Sequence, residues 1–203
     1  MATTRSLTRT LSVSVRAMLV LTLLLGVLFP AAILGIGQLV FPAQANGSML
    51  QSPAGSSPVG SALLGQSFNK PDGTPDPAYF QPRPSAAGTG YDGAASSGSN
   101  LGPENPTLLE HIAERKAAYL AQNPGTAVVP ADALTASASG LDPDISVANA
   151  LDQAARVARA RKLDPAAVIA LVHRQTVGRD LGFLGEERIN VLRLNIALDR
   201  LDN

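Results

Sequence analysis

Residues 17–41 are AMLVLTLLLGVLFPAAILGIGQLVF, a run in which Thr22 and Gln38 are the only polar side chains. A helix of this length, at about 1.5 Å of rise per residue, crosses the roughly 30 Å hydrocarbon core of a membrane with some tilt. The sequence therefore predicts one transmembrane helix over residues 17–41. It divides the rest of the chain into a short segment before the helix, residues 1–16, and a long one after it.

The charges on either side of this run indicate its orientation. Before it lie three basic residues and no acidic ones: Arg5, Arg9 and Arg16. After it, no charged residue of either sign occurs until Lys70. Because basic flanks are retained on the cytoplasmic side, the sequence predicts a cytoplasmic N-terminus and places residues 43–203 outside the cytoplasm.

A cleaved signal peptide is the alternative to an anchor, since Ala43-Gln44-Ala45 has the small-x-small form of a cleavage site. The apolar region of a signal peptide, however, spans only about 7–15 residues. The run at residues 17–41 is much longer, so its length favours an uncleaved membrane anchor.

Small residues and a proline interrupt the apolar run. Pro30 predicts a kink, which frees a backbone carbonyl that a neighbouring helix can satisfy. Ala31 and Gly35 form a small-xxx-small pair, and Gly37 extends it, so a second helix could approach closely here. Glycine and proline are also simply more frequent in membrane helices, which explains the pattern equally well.

The charges of the 203-residue chain balance, because 16 Lys and Arg meet 16 Asp and Glu. Nucleic-acid-binding proteins usually carry a basic excess, so no nucleic-acid partner is expected. Zero cysteines exclude disulfide scaffolds and thiol nucleophiles, and two histidines leave little for a His-based metal centre. With no P-loop and no nucleophile and base set, the sequence predicts no catalytic, cofactor-binding or metal-binding residue in this chain.

Residues 42–106 hold ten of the fifteen prolines and ten of the eighteen glycines. This composition predicts loops, with short strands at most around Ala62–Phe68 and Ala78–Gln81. Four of the eight aromatic residues also lie here, namely Phe68, Tyr79, Phe80 and Tyr91. The loops are therefore expected to pack on a folded domain.

Residues 107–203 have the periodicity of helices. Thr107 and Glu110 have the spacing of a capping box, which predicts a helix ending before Asn123. Its apolar face would bury the side chains of Leu109, Ile112, Ala113 and Leu120. Short strands are predicted at Val128 and Val129 and over Leu134–Ala138.

Three further helices carry recognisable N-terminal caps, at Ser146, Asp164 and Asn190. In the first, one face buries Val147, Leu151, Ala154 and Ala158, while Arg156, Arg159 and Lys162 lie elsewhere. Pro165 follows Asp164 at the first helical position. The last helix places its apolar residues at helical spacing, namely Val191, Leu194, Leu198 and Leu201. The predicted fold is α+β: one N-terminal transmembrane helix, then a single extracytoplasmic domain of three to four helices with a few short strands.

Several strings, in one order along the chain, resemble those of the KdpC family, the small subunit of the Kdp potassium-transporting P-type ATPase. These strings are GQSF (65–68), YFQPRPSAAGTGY (79–91), SSGSNLGPENP (96–106), LTASASGLDPDIS (134–146), QAARVARAR (153–161) and INVLRLNIAL (189–198). Two departures are visible: Asp144 stands where the family often has His, and Ala138 stands where Gly is usual. The first makes an essential role for that position doubtful.

The resemblance implies a non-catalytic accessory subunit in a bacterial or archaeal cell membrane. Its partners would be a channel-like subunit that carries potassium and a P-type subunit that hydrolyses ATP with magnesium, with membrane lipid around the anchor. No cofactor is expected in this chain. The family is described as a catalytic chaperone that raises the ATP affinity of the catalytic subunit, yet an outer domain cannot touch a cytoplasmic nucleotide. We therefore expect assembly, and shaping of the outer potassium entrance, to be its physical role.

The residues predicted to serve partner interfaces lie in the anchor and in the Pro/Gly/Ser-rich strings: Ala31, Gly35, Gln66, Ser67, Phe68, Arg83, Ser85, Ser99 and Asn100. Pro82 and Pro84 hold the backbone of Arg83 extended, which is expected to leave its guanidinium free to project. In the competing interpretation, Arg83 closes a loop onto its own domain and Asn100 only supplies turn geometry.

The alternative function is an anchored extracytoplasmic enzyme or cell-wall-binding domain. It rests on Ser67 and Lys70, which fit the Ser-x-x-Lys pattern of penicillin-recognising enzymes. That pattern normally lies on a helix, whereas Pro71 directly after Lys70 cannot occupy a helix interior. Neither a Lys-Thr-Gly nor a Lys-Ser-Gly element is present, so this match is weak.

Overall fold

The computed structural model describes residues 2–52, 55 and 57–201. The chain separates into two compact units, with the division between Ser48 and Met49. The first unit holds the apolar run. The second holds the remaining helices, the strands and the proline-rich loops.

The described part of the first unit is mainly helical. Helix α1 spans Ala2–Leu21 and α2 spans Phe29–Val40, with a π-helical segment, Thr22–Leu28, between them; a short α3 follows at Pro42–Ala45. Within the described residues, one helix is long and apolar enough to cross a membrane, over Leu7–Val40 with mean hydropathy 2.6. The predicted apolar N-terminal helix is confirmed.

The π-helical segment explains how the helix continues past Pro30. A proline ring clashes with the carbonyl four residues earlier and provides no N–H to it. The backbone N–H of Phe29 instead donates to the carbonyl of Leu24, five residues back, so the helix is widened where the proline enters.

The second unit has five helices in its described part. They are α4 (Pro106–Gln122), α5 (Ala131–Leu134), α6 (Val147–Arg161), α7 (Pro165–Gln175) and α8 (Val191–Asp199). The predicted caps Ser146, Asp164 and Asn190 are confirmed, since each side chain accepts a hydrogen bond from a backbone N–H of its helix. The predicted capping box at Thr107 is wrong. Asn105 is the cap, and its side chain accepts from the Thr107 N–H.

Two small antiparallel sheets complete the unit. Strand β1 (Met49–Gln51) pairs with β2 (Pro58–Ser61), and β3 (Asp144–Ser146) pairs with β4 (Arg188–Asn190). The buried pair Ile145 and Ile189 fixes the register of the second sheet. The strands predicted over 62–68, 78–81, 128–129 and 134–138 are wrong, since the strands of the described residues are β1 to β4. Over 78–81, side chains of Asn195 and Gln153 take the place of a neighbouring strand at Phe80 and Gln81.

The core lies between α6, α7 and α8. Its largest fully buried apolar side chains are Phe80, Ile189, Leu194, Leu198, Val157, Val168, Val172 and Val191. The predicted buried face of α6 is confirmed, with Ala154 and Ala158 in the core and Val147 and Leu151 against it. The predicted burial of α4 is wrong, since that helix has no buried residue and Leu109 is 57% exposed. The α+β fold is otherwise as predicted.

Candidate partner interface

Residues 62–105 form no helix or strand apart from an isolated bridge between Asn69 and Pro75. At Phe80 and Gln81 the backbone is held by amide side chains of the helices. The buried Asn195 accepts from the Phe80 N–H at 3.0 Å and donates to the Phe80 carbonyl at 3.0 Å. Gln153 pairs in the same way with both backbone groups of Gln81, at 2.7 and 3.1 Å. Two amides therefore replace the neighbouring strand that this extended segment lacks.

Arg156 of α6 anchors the loop just before this segment. Its buried guanidinium donates to neutral oxygens only: the carbonyls of Asp76, Pro77 and Tyr79 and the side chains of Asn123 and Gln153. Burial lowers the pKa of Arg156 to about 10. The prediction that Arg156 lies away from the packed surface of its helix is wrong, because three loop carbonyls take the place of water around its charge.

Arg161 and the aromatic residues secure the same loop. The Arg161 guanidinium donates to the Ala78 carbonyl at 2.7 Å, lies 4.5 Å from the centre of the Tyr79 ring and pairs with Asp199 at 2.6 Å. The Tyr79 ring lies 5.6 Å from that of Phe68, which packs against the core. Phe68, predicted as an interface residue, is thus half-buried within its own domain.

Ser85 ties the PRPSAAG string to the loop before β3. Its hydroxyl donates to the Gly140 carbonyl at 2.6 Å and accepts from the N–H groups of Ala87 and Tyr91. Gly140 has a φ of +69°, and a Cβ on it would lie 2.6 Å from that of Ala87, so only glycine fits there. Ser85 is therefore part of the fold, whatever further contacts it makes.

Arg83 is ion-paired inside its own domain. Its guanidinium lies 2.9 Å from the Asp142 carboxylate, and its side chain is only 24% exposed. The Tyr91 hydroxyl donates to its carbonyl, and burial raises the pKa of that tyrosine. The expected free guanidinium is wrong, because the side chain pairs with Asp142 of its own domain instead of projecting outward. An interface role for Arg83 stays a prediction.

Ser99 and Asn100 are exposed at the tip of a loop. Asn100 has a φ of +52°, a conformation that asparagine tolerates better than most residues, so it does supply turn geometry. A Cβ on the adjacent Gly98 would lie 2.7 Å from the Ala138 carbonyl, which shows how closely the loop approaches its own domain. Contact of Ser99 and Asn100 with a partner stays a prediction.

Ser67 lies on a loop between two clefts. One cleft, of about 310 Å³, is also lined by Arg83, Ser85 and Tyr119; the other, of about 320 Å³, is also lined by Gln66 and Phe68. The structure thus brings five of the predicted interface residues together around one ridge. Burial, followed by the charges of Asp152 and Asp132, raises the pKa of Tyr119 at the floor of the first cleft.

The same loop argues against a Ser-Lys enzyme. Ser67 and Lys70 lie in irregular backbone, so no helical turn places the hydroxyl beside the amine. The Ser67 hydroxyl accepts from the Asn69 N–H at 3.2 Å, as in an ordinary turn. In the part of the chain that the structure describes, no three acidic or histidine side chains converge as metal ligands would.

Ala31 and Gly35 lie on α2 in the first unit. Both are exposed, and a Cβ added to Gly35 would meet no atom within 4 Å. The surface around them is open to a neighbouring helix. Their contact with one stays a prediction.

A hairpin over residues 177–188 was missed by the sequence analysis. Its tip exposes large apolar side chains, among them Leu181 at 83% and Phe183 at 69%. The signal was available, since LGFLG at residues 181–185 places Phe183 and Leu184 between two glycines, directly after Leu181, without helical or strand periodicity. Glycines favour a turn, and apolar side chains that such a turn exposes mark an interaction site.

A family model described as "KdpC: K+-transporting ATPase, c chain" matches residues 11–200. The chain belongs to the KdpC family. A "Potassium-transporting ATPase KdpC subunit" from Mycobacterium tuberculosis is 52% identical over 186 residues, covering 91% of this chain and 94% of that protein. One of the same name from Caulobacter vibrioides is 54% identical over 178 residues, covering 88% of this chain and 86% of that protein. The match over residues 11–200 extends across both units of the chain. It therefore includes most of the apolar helix as well as the proline-rich loops.

Proposed function

We propose that this chain is the accessory, non-catalytic subunit of an ATP-driven potassium uptake complex. It stabilises the assembly of a channel-like potassium-translocating subunit with a P-type ATP-hydrolysing subunit, and its outer domain shapes the potassium entrance. Potassium is the transported ion, and ATP with magnesium binds the partner subunits. This chain holds no cofactor of its own.

The family match over residues 11–200 carries this proposal, because the matching relatives are named as one subunit of a potassium-transporting ATPase. The fold supports it. The helices hold the proline-rich loops rigidly through Asn195, Gln153 and Arg156, so those loops present fixed surfaces to other proteins. A preordered surface binds with a smaller loss of conformational entropy.

The apolar helix anchors the chain with its N-terminus in the cytoplasm. Arg9 and Arg16 precede the most apolar part of the helix, and no acidic residue accompanies them. In this orientation the second unit lies outside the cytoplasm. Any effect on the ATP affinity of the catalytic subunit then travels as a coupling free energy through the membrane helices, not through contact with nucleotide.

Co-purification tests the assembly role. The tagged full chain, co-expressed with the two other subunits and extracted in mild detergent, is expected to retain both and to give potassium-stimulated ATP hydrolysis. Omitting the chain should separate the other two subunits and abolish that stimulation. Full assembly and full stimulation without the chain would contradict the proposal.

Single cysteines test the orientation, since the chain has none of its own. Thr8→Cys and Thr89→Cys place one thiol at each end of the proposed topology. A membrane-impermeant maleimide added to intact cells is expected to label the cysteine at position 89 only. Labelling at position 8 alone would reverse the orientation without affecting the assembly role.

A further inference from the structure

The apolar hairpin, residues 177–188, is closed by backbone hydrogen bonds. At its base, Val177 and Arg188 exchange two hydrogen bonds of 2.8 and 3.0 Å. Near its tip, Asp180 and Leu184 exchange two more, both of 2.9 Å. Arg188 begins β4, so the hairpin continues directly from the buried second sheet. Its backbone is therefore ordered before any partner binds.

The tip of the hairpin combines an unfavourable backbone conformation with apolar side chains that are exposed to water. Leu181 has a φ of +54°, a left-handed conformation that a residue with a Cβ disfavours. The side chains of Leu181, Phe183 and Leu184 are all exposed, and Val177 adds to the apolar surface at the base. Strained backbone and a cluster of exposed apolar side chains on a rigid support are typical of a binding element.

Charged side chains surround the tip. Arg179 lies 3.7 Å from Glu186, and Arg188 lies 3.6 Å from Asp180. Two basic residues, Arg179 and Arg188, meet three acidic ones, Asp180, Glu186 and Glu187, so the hairpin has a formal charge of −1. An apolar centre within a polar rim is the usual composition of a protein interface.

We propose that the apolar hairpin docks into a partner protein, where Leu181 and Phe183 enter an apolar pocket whose rim is basic. The proposal rests on the proposed function, because it needs another subunit of the same complex. The net negative charge of the hairpin favours a protein pocket with a basic rim over a lipid surface or a second copy of the chain. Anionic lipid headgroups would repel it, and a second copy of the chain would present the same charge to itself.

A tryptophan at the tip reports its surroundings, since the chain has no other tryptophan. For Phe183→Trp in the assembled complex, the spectrum of the complex with Phe183 unaltered is subtracted, and we expect the remaining emission at shorter wavelength than in the chain alone. The chain alone should show no such shift in phosphatidylcholine vesicles, with or without phosphatidylglycerol, or on concentration. A shift in vesicles alone would assign the tip to lipid, and one on concentration would assign it to a second copy; either overturns the proposal.

The affinity of the chain for the two other subunits tests the role of Leu181 and Phe183. Leu181→Asn with Phe183→Ser keeps a residue that tolerates the left-handed conformation and removes the apolar contacts. Dissociation of the two other subunits should become at least about tenfold more favourable. Val128→Ser is the matched control, because Val128 is 81% exposed outside the hairpin and should leave association unchanged. Glu186→Lys with Glu187→Lys is expected to weaken association most at low salt.

Two outcomes separate this proposal from the proposed function. If the unaltered chain retains both subunits while the tryptophan stays in a water-like environment and the tip variant binds normally, the hairpin proposal is overturned and the accessory role stands. If the unaltered chain retains neither subunit, both are overturned.

Discussion

The two irregular regions of the second unit are stabilised in opposite ways. The loop around Phe80 and Gln81 lacks a neighbouring strand, yet side chains from α6 and α8 satisfy its backbone and the ring of Phe80 is buried. The apolar hairpin satisfies its own backbone but leaves Leu181 and Phe183 in water. The first loop has its partners within the chain. The apolar hairpin has an ordered backbone, but its apolar side chains are exposed to solvent.

This difference predicts where substitutions act. Removing a side chain that holds the first loop leaves buried backbone groups without partners, so the free energy of unfolding falls. Removing an apolar side chain at the hairpin tip loses no packing within the chain, so stability changes little and only association suffers.

The largest effect is expected from Arg156→Met. It leaves three loop carbonyls and the Gln153 side-chain oxygen with one donor fewer, and should lower the free energy of unfolding by about 3 kcal/mol or more. Chemical denaturation of the full chain in mild detergent measures this. Arg159→Met, on the exposed face of the same helix, is the control. It should change the free energy of unfolding by no more than about 0.5 kcal/mol.

Asn195→Leu should have the next largest effect. Leucine keeps the branching of asparagine at Cγ but is larger and apolar, so it leaves both backbone groups of Phe80 unsatisfied, which should cost about 2 kcal/mol or more. The same denaturation experiment measures it, with Arg193→Leu on α8 as the exposed control. Equal stability of the two variants would mean that water replaces the amide, and the account of the first loop would fail.

These amide contacts could not be predicted from the sequence. Periodicity and caps identified α6, α7 and α8, because a helix depends on neighbours along the chain. The partner of Phe80 is Asn195, which is 115 residues away, and no local pattern encodes such a pair. The strand predicted over 78–81 was wrong for the same reason, since an extended backbone satisfied by side chains has the composition of a loop.

The candidate site was predicted in part. Composition and family resemblance indicated that the strings GQSF and PRPSAAG are loops that fit partner proteins, and this role stays a prediction. That residues of both strings line one cleft was not predicted. The direction of Arg83 depends on Asp142, which no spacing rule connects to it. Polar and catalytic patterns do not predict the hairpin, because its signal is apolar residues next to glycines.

Asn100 allows the turn and the partner contact to be separated. Asn100→Gly keeps the left-handed φ of +52° and removes the side chain, so the melting temperature should stay nearly unchanged. Asn100→Ala also removes the side chain and should lower stability by about 1 kcal/mol through backbone strain. If Asn100 contacts a partner, both variants weaken recovery of the complex equally; if only Asn100→Ala does, the residue serves the turn alone.

The smallest effect is expected from the titration of Asp144, which makes the stability of the chain depend on pH. Burial, followed by the charge of Asp142, raises the pKa of Asp144 despite its pairing with Arg188 at 3.4 Å. The folded chain therefore binds this proton more tightly than the unfolded chain, and stability falls as pH rises from the ordinary value of about 4 through the raised pKa. Asp144→Asn should flatten this part of the curve of stability against pH. A steeper fall in the variant would contradict the assignment.

Hydrogen exchange of the full chain, alone and in the complex, compares the two regions most directly. The Phe80 and Gln81 amides should be protected to the same degree in both states, because their acceptors are Asn195 and Gln153 of the same chain. The amides at the hairpin tip, Leu181 to Leu184, should exchange faster in the chain alone and slow markedly when the other subunits bind. Protection of Phe80 and Gln81 that appears only in the complex, with a tip that exchanges equally in both states, would contradict the account.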